Sequence, residues 1–179
     1  PTHGVPAAVY HEGWAQNGAI VAPHKVEGID LHLRYQGCEA SPLFWAHYSF
    51  LGLNPTGLKD EYCASYFDEM RNLTLVNRAY CIRNPKNWKG FGPDCWGLTA
   101  SYSVNGYVAH KPDEQDDLSV ISPTAALSSI VYTPEYSLEV MRHLYGMGDK
   151  VFGPYGFYDA FSETEDWYPK RYLAIDQGP

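Results

Sequence analysis

The sequence predicts a mainly α fold, with inner and outer helix pairs arranged as part of an α/α toroid. Three observations carry this. A helix with no charged face is followed by an amphipathic one, and the pattern occurs twice. No stretch sustains the period-two alternation of a half-buried sheet. Long loops rich in glycine and aromatic residues separate the helical runs.

Taken in order, Pro6 to Trp14 predicts one or two helical turns, with Pro6 suited to a first helical position. The chain is otherwise loop-rich to about Gly37 and carries His3, His11, His24 and His32. Ser41 to Leu51 predicts a helix capped by Ser41, with Pro42 first and apolar residues nearly all round, hence buried on most sides. After Asn54-Pro55-Thr56-Gly57, an amphipathic helix is predicted from about Leu58 to Cys81. Its apolar stripe is Tyr62, Tyr66, Met70 and Leu73, and Asn84-Pro85 ends it. Trp96 to Ser101 predicts a short small-residue helix, followed by a loop to Val120. Ser122-Pro123 opens a second uncharged helix reaching Ile130. Thr133-Pro134-Glu135 then opens a second amphipathic one, with the stripe Leu138, Met141, Leu144 and Tyr145, stopped by Gly146 or Gly148.

Charge and cysteine usage narrow the partners. Thirteen Lys and Arg face 21 Asp and Glu, a net charge of −8, and no basic cluster occurs. A nucleic-acid groove or an anionic membrane surface is therefore not expected. No apolar run approaches the roughly 20 residues needed to span a bilayer. Cys38, Cys63, Cys81 and Cys95 form no C-x-x-C pair, so neither a zinc site nor a cofactor is expected. Buried free thiols are the reading, with a disulfide left open. Aromatic residues reach 15%, which suits an aromatic-lined pocket and an aromatic core equally.

Asp94, Asp159, Glu163 and Asp176 each stand where a loop meets a predicted helix. Such an acid can cap a helix. Several can also converge on one rim, because successive inner helices of a toroid begin at the same end. Glycoside hydrolysis needs two carboxyl groups, about 5–5.5 Å apart for retention and roughly 6.5–9.5 Å for inversion. Trp96, Tyr102, Trp167 and Tyr168 are flanked by glycine or acids, and each fits either sugar stacking or core packing. His47, inside a nearly all-apolar helix, is either a buried histidine or a contact to a sugar hydroxyl. Asp113-Glu114-Gln115-Asp116-Asp117 lacks the spacing of a calcium loop and reads as a solvated loop.

Six ordered blocks carry a family resemblance: Pro1-Thr-His-Gly4, Pro42-Leu-Phe-Trp-Ala-His-Tyr-Ser-Phe50, Cys95-Trp-Gly-Leu-Thr-Ala-Ser101, Ile121-Ser-Pro-Thr-Ala-Ala-Leu-Ser-Ser129, Tyr155-Gly-Phe-Tyr-Asp-Ala-Phe161 and Tyr172-Leu-Ala-Ile-Asp-Gln-Gly-Pro179. They resemble the glucoamylase-like proteins of, or near, glycoside hydrolase family 144, known for endo-β-1,2-glucanases. The likeness is weakest from Gly18 to Ala40. Many relatives carry an Asp after Thr-Ala-Ser, where this chain has Tyr102.

The resemblance implies an (α/α)6 toroid that hydrolyses β-linked glucan, in exported or periplasmic bacterial proteins. Family members are much longer. Residues 1–179 are therefore expected to form one incomplete domain, roughly half the barrel, that needs the rest of its polypeptide. The main acid and base are expected on segments that precede the Pro-Thr-His-Gly block in relatives. Within this chain Asp94, Asp159 and Asp176 are expected at the cleft rim, with Asp159 and Asp176 orienting substrate or water. His47, Trp96, Tyr102, Trp167 and Tyr168 are expected to contact sugar. The competing expectations are a non-catalytic glycan-binding or structural half-barrel, and an enzyme acting on α-glucan.

Overall fold

In a computed structural model, which describes residues 4–35 and 39–178, helices form the frame and three two-stranded antiparallel hairpins are set among them. His3, Cys38 and Pro179 lie outside the described residues. A π-helical segment, Val9–Trp14, occupies the first predicted helical turns. Hairpin strands β1 (Val21–Val26) and β2 (Ile29–Leu33) follow. Their turn residues, Glu27 at φ 50° and Gly28 at φ 77°, give the two positive angles of a tight hairpin turn. Helix α1 (Leu43–His47) runs into a 3-10 turn, Tyr48–Phe50, and helix α2 spans Tyr66–Arg83. Next come β3 (Ala100–Ser103) and β4 (Gly106–Ala109), α3 (Pro123–Ser128) and α4 (Pro134–Gly146). Strands β5 (Phe152–Gly153) and β6 (Gly156–Phe157) precede the short α5 (Ala174–Gln177).

Helix starts follow local chemistry, with corrections. Helix α2 begins at Tyr66 instead of Leu58, because Ser65 Oγ accepts the Asp68 N–H at 3.2 Å and fixes the first turn there. It ends on Asn84 in the left-handed conformation, with the Asn84 N–H bonded to Tyr80 O at 2.8 Å. Ser41 does not cap α1: its hydroxyl donates to Pro42 O instead. Pro123 and Pro134 stand at the first positions of α3 and α4 as their sequences predict. Each uncharged helix packs on its amphipathic successor, α1 on α2 and α3 on α4.

The core gathers Leu43 and Phe44 from α1 with Leu73, Val76, Tyr80 and Cys81 from α2. Trp96, Leu98, Ala125, Val140, Leu144 and Phe161 also belong to it. Its centre is threaded by residues 96–99, which form no regular element and are not helical as predicted. The Asn77 side chain takes both polar groups of Leu98: Nδ2 donates to Leu98 O and Oδ1 accepts the Leu98 N–H, each at 2.9 Å. Leu43 N–H donates to Leu98 O, and Phe44 N–H to Thr99 Oγ1. Gly97, at φ 134°, lies so close to α3 that a Cβ there would stand 2.7 Å from Ser122 O. A backbone already bonded to two helices has no free groups for a helical turn of its own.

The acidic loop is solvated at Glu114 and Gln115, as expected, but not at its last residue. Asp117 is fully buried and accepts from Tyr80 OH (3.1 Å), Trp88 Nε1 (2.8 Å) and the Ser119 N–H (3.0 Å). Cys63, Cys81 and Cys95 are buried free thiols. Among the described residues no helix is long and apolar enough to cross a membrane.

Candidate functional site

Two of the predicted acids meet. Asp159 follows β6, and its N–H donates to Arg171 O at 2.9 Å, which pins the backbone. Its Oδ2 accepts the Tyr102 N–H from β3 at 3.2 Å. Asp176 lies in α5, and its carboxyl group is hydrogen-bonded to that of Asp159. Tyr48 OH donates to Ile175 O at 3.2 Å and reaches Asp176 Oδ1 at 3.5 Å. Asp159 Oδ1 and Asp176 Oδ2 are buried with no other hydrogen-bond partner. Two carboxyl groups in such contact resist ionising together, so at neutral pH and below the pair retains a proton. Burial is the first cause that raises both pKa values. For Asp176 the neighbouring Asp159 carboxyl adds to it, whereas for Asp159 the bonds from Asp176 and Tyr102 oppose it.

Tyrosines wall the pair. Hairpin β3–β4 sets Tyr102 directly opposite Tyr107, with ring centroids 6.0 Å apart, edge to face. The Arg171 guanidinium lies 5.9 Å from the Tyr102 ring. Burial, then the Asp176 charge, pushes the Tyr48 phenol up to about 12 and raises that of Tyr107, so both stay protonated donors. The site thus offers one proton that can move within a carboxyl pair, phenolic donors, and aromatic faces beside them.

The remaining predicted residues lie apart from this pair's contacts. Asp94 is exposed and bonded to His143 Nδ1 at 3.0 Å. His47 is buried against Tyr132, ring centroids 5.0 Å apart; its Nε2 reaches Thr74 Oγ1 at 3.5 Å and its Nδ1 has no partner. Trp96 is 0% exposed, because the clamped segment 96–99 turns its indole into the core; the expected sugar contact is corrected to core packing. Trp167 is partly exposed and its backbone pairs with that of Ser162. Tyr168 stacks on Phe161, centroids 6.1 Å apart and planes within 8°, with Lys150 Nζ 5.1 Å above its ring.

Sequence reasoning missed Tyr48, Tyr107 and Arg171. The signal for Tyr107 was Asn105-Gly106, a hairpin dipeptide between Tyr102-Ser103-Val104 and Tyr107-Val108. A cleft of about 960 Å³ was also missed. It is lined by Tyr10, Trp14, Trp45 and Leu53, with Asp60 accepting from the hydroxyls of Tyr10 and Tyr66.

Comparison with known proteins adds identity to this geometry. A family model described as "Putative glucoamylase" matches residues 1–179. An exo β-1,2-glucooligosaccharide sophorohydrolase (non-reducing end) of Parabacteroides distasonis is 34% identical, over all of this chain and 27% of its own length. The crystal structure of a "putative glucoamylase" of Bacteroides caccae is 86% identical, with a TM-score of 0.97, over all of this chain and 43% of that one. An endo-β-1,2-glucanase of Chitinophaga pinensis, solved with sophorotriose and glucose, is 62% identical with a TM-score of 0.96, again over all of this chain and 43% of that one. The chain therefore spans between about a quarter and under half the length of the relatives it matches.

Proposed function

The chain belongs to the family described as "Putative glucoamylase", and on that premise we propose that it is a carbohydrate-active portion of a glycoside hydrolase acting on β-1,2-glucan. The observation that carries this reading is the Asp159–Asp176 carboxyl pair walled by Tyr48, Tyr102 and Tyr107. A pair that shares one proton can accept from a sugar hydroxyl or a water and donate to another, while tyrosine rings offer apolar faces to a pyranose. Its role in this reading is to orient substrate or water. The principal acid and base of hydrolysis belong, on this proposal, to further chain of the length its relatives have. The helix pairs α1–α2 and α3–α4 then become two inner–outer pairs of an (α/α)6 toroid. The same reading carries a periplasmic or secreted location.

The test is Asp159→Asn in the full-length protein that contains this chain, assayed for cleavage and binding of β-1,2-glucan. A loss of at least about tenfold in kcat/KM is expected. Unchanged hydrolysis and binding would remove the pair from the site. Starch assayed beside β-1,2-glucan separates this reading from an α-glucan-acting enzyme.

A further inference from the structure

A second cluster lies away from the carboxyl pair, where three parts of the chain meet. Cys95 closes a tight turn by bridging to Gly92, His143 stands in α4, and Glu163 sits in the turn closed by the Ser162–Trp167 bridge. One donor atom from each, Cys95 Sγ, a His143 ring nitrogen and a Glu163 carboxylate oxygen, falls within 4.8 Å of the other two. Cys95 is fully buried, whereas His143 and Glu163 are partly exposed and leave a path for an ion.

The orientation of the histidine is the second observation. Asp94 Oδ2 lies 3.0 Å from His143 Nδ1 and so holds the ring proton on that nitrogen. His143 Nε2, left with its lone pair, is buried and has no hydrogen-bond partner. A carboxylate that fixes one imidazole nitrogen and leaves the other unprotonated and unpartnered, on a histidine grouped with thiol and carboxylate donors, is the arrangement by which proteins orient a metal-binding histidine. Glu163 is only loosely engaged otherwise, by the exposed Lys89 ammonium at 3.9 Å. Its carboxylate lies against Gly90, where a Cβ would stand 2.5 Å from Oε1; a glycine at that position leaves the carboxylate room.

We propose that Cys95, His143 and Glu163 form a zinc-binding site, with Asp94 orienting His143. Mixed S, N and O donors suit Zn²⁺, whose bonds of about 2.0–2.3 Å place tetrahedral donors roughly 3.3–3.6 Å apart. The three groups would draw in by at most about 1 Å and leave a fourth position for water. On binding, the metal replaces the proton of the Cys95 thiol, which passes to solvent. The bound ion would tie α4 to the turns that hold Cys95 and Trp167. Cysteine spacing gave no hint of it, because only one donor is a cysteine.

The experiment uses the full-length protein that contains this chain, stripped with a chelator and titrated with Co²⁺, then with Zn²⁺. One Co²⁺ per chain is expected at this site, with a near-ultraviolet thiolate-to-cobalt charge-transfer band that Zn²⁺ abolishes. His143→Gln is expected to weaken binding at least about tenfold, and Asp94→Asn by about 10- to 100-fold. Glu163→Gln, on a partly exposed turn, reads the same loss should the histidine variant not fold. A Co²⁺ spectrum without the thiolate band, or undiminished affinity in the folded His143 or Glu163 variant, overturns the proposal.

Discussion

His47 lies almost wholly inside the protein, and burial drives its pKa from 6.5 down to about 4. Between those values the unfolded chain binds a proton that the folded chain refuses. Stability therefore falls as pH drops from about 6.5 to about 4, by up to roughly 3 kcal/mol for this one ring. Asp159 and Asp176 work with the opposite sign. Their raised pKa values give stability that is complete below the ordinary carboxylate range and lost as pH rises through the folded values. Replacing His47 with Gln isolates the first contribution: thermal melts between pH 7 and pH 5 should lose less stability in the variant than in the parent. At this scale the sequence was partly legible. A loop acid such as Asp159 can be singled out by its glycine and aromatic neighbours, whereas the burial of Trp96 or Asp117 depends on partners far along the chain.

Helices were legible and hairpins were not, and the reason is physical. Helices α2, α3 and α4 announce themselves through caps, first-position prolines and a period of three to four residues. Strands of two to six residues carry too few side chains for an alternation to emerge, so only their turns betray them: Glu27-Gly28 and Asn105-Gly106. The predicted helix from Trp96 to Ser101 was a misreading, because residues such as Leu98 and Ala100 suit a helix locally. What overrules them is the amide of Asn77 and the approach of α3 at Gly97. Gly97→Ala tests that account. A methyl group there meets Ser122 O and a backbone angle that L-residues rarely adopt. The substitution should cost roughly 2–4 kcal/mol in chemical denaturation of the full-length protein.

The molecule as a whole presents a large aromatic cleft, in which Tyr10, Trp14, Trp45 and Leu53 are all substantially exposed. An apolar surface of that extent left open to solvent marks a binding or packing face. Under the proposed function it meets further parts of the same barrel or the glucan itself. The 179 residues expressed alone are accordingly expected not to cleave β-1,2-glucan and to bind a hydrophobic dye more strongly, mole for mole, than the full-length protein. Cleavage by the isolated chain would mean that its own carboxyl pair supplies the acid and base.

Tyr48 and Asp176, which meet at the carboxyl pair, are 128 positions apart in sequence. At a synthesis rate of about 5–20 residues per second, the tyrosine leaves the ribosome roughly 6–26 seconds before its partner. Until α5 emerges, Asp159 has no second carboxyl with which to share a proton. A nascent chain therefore carries half a site, and its chemistry begins only once the helices it depends on are already in place.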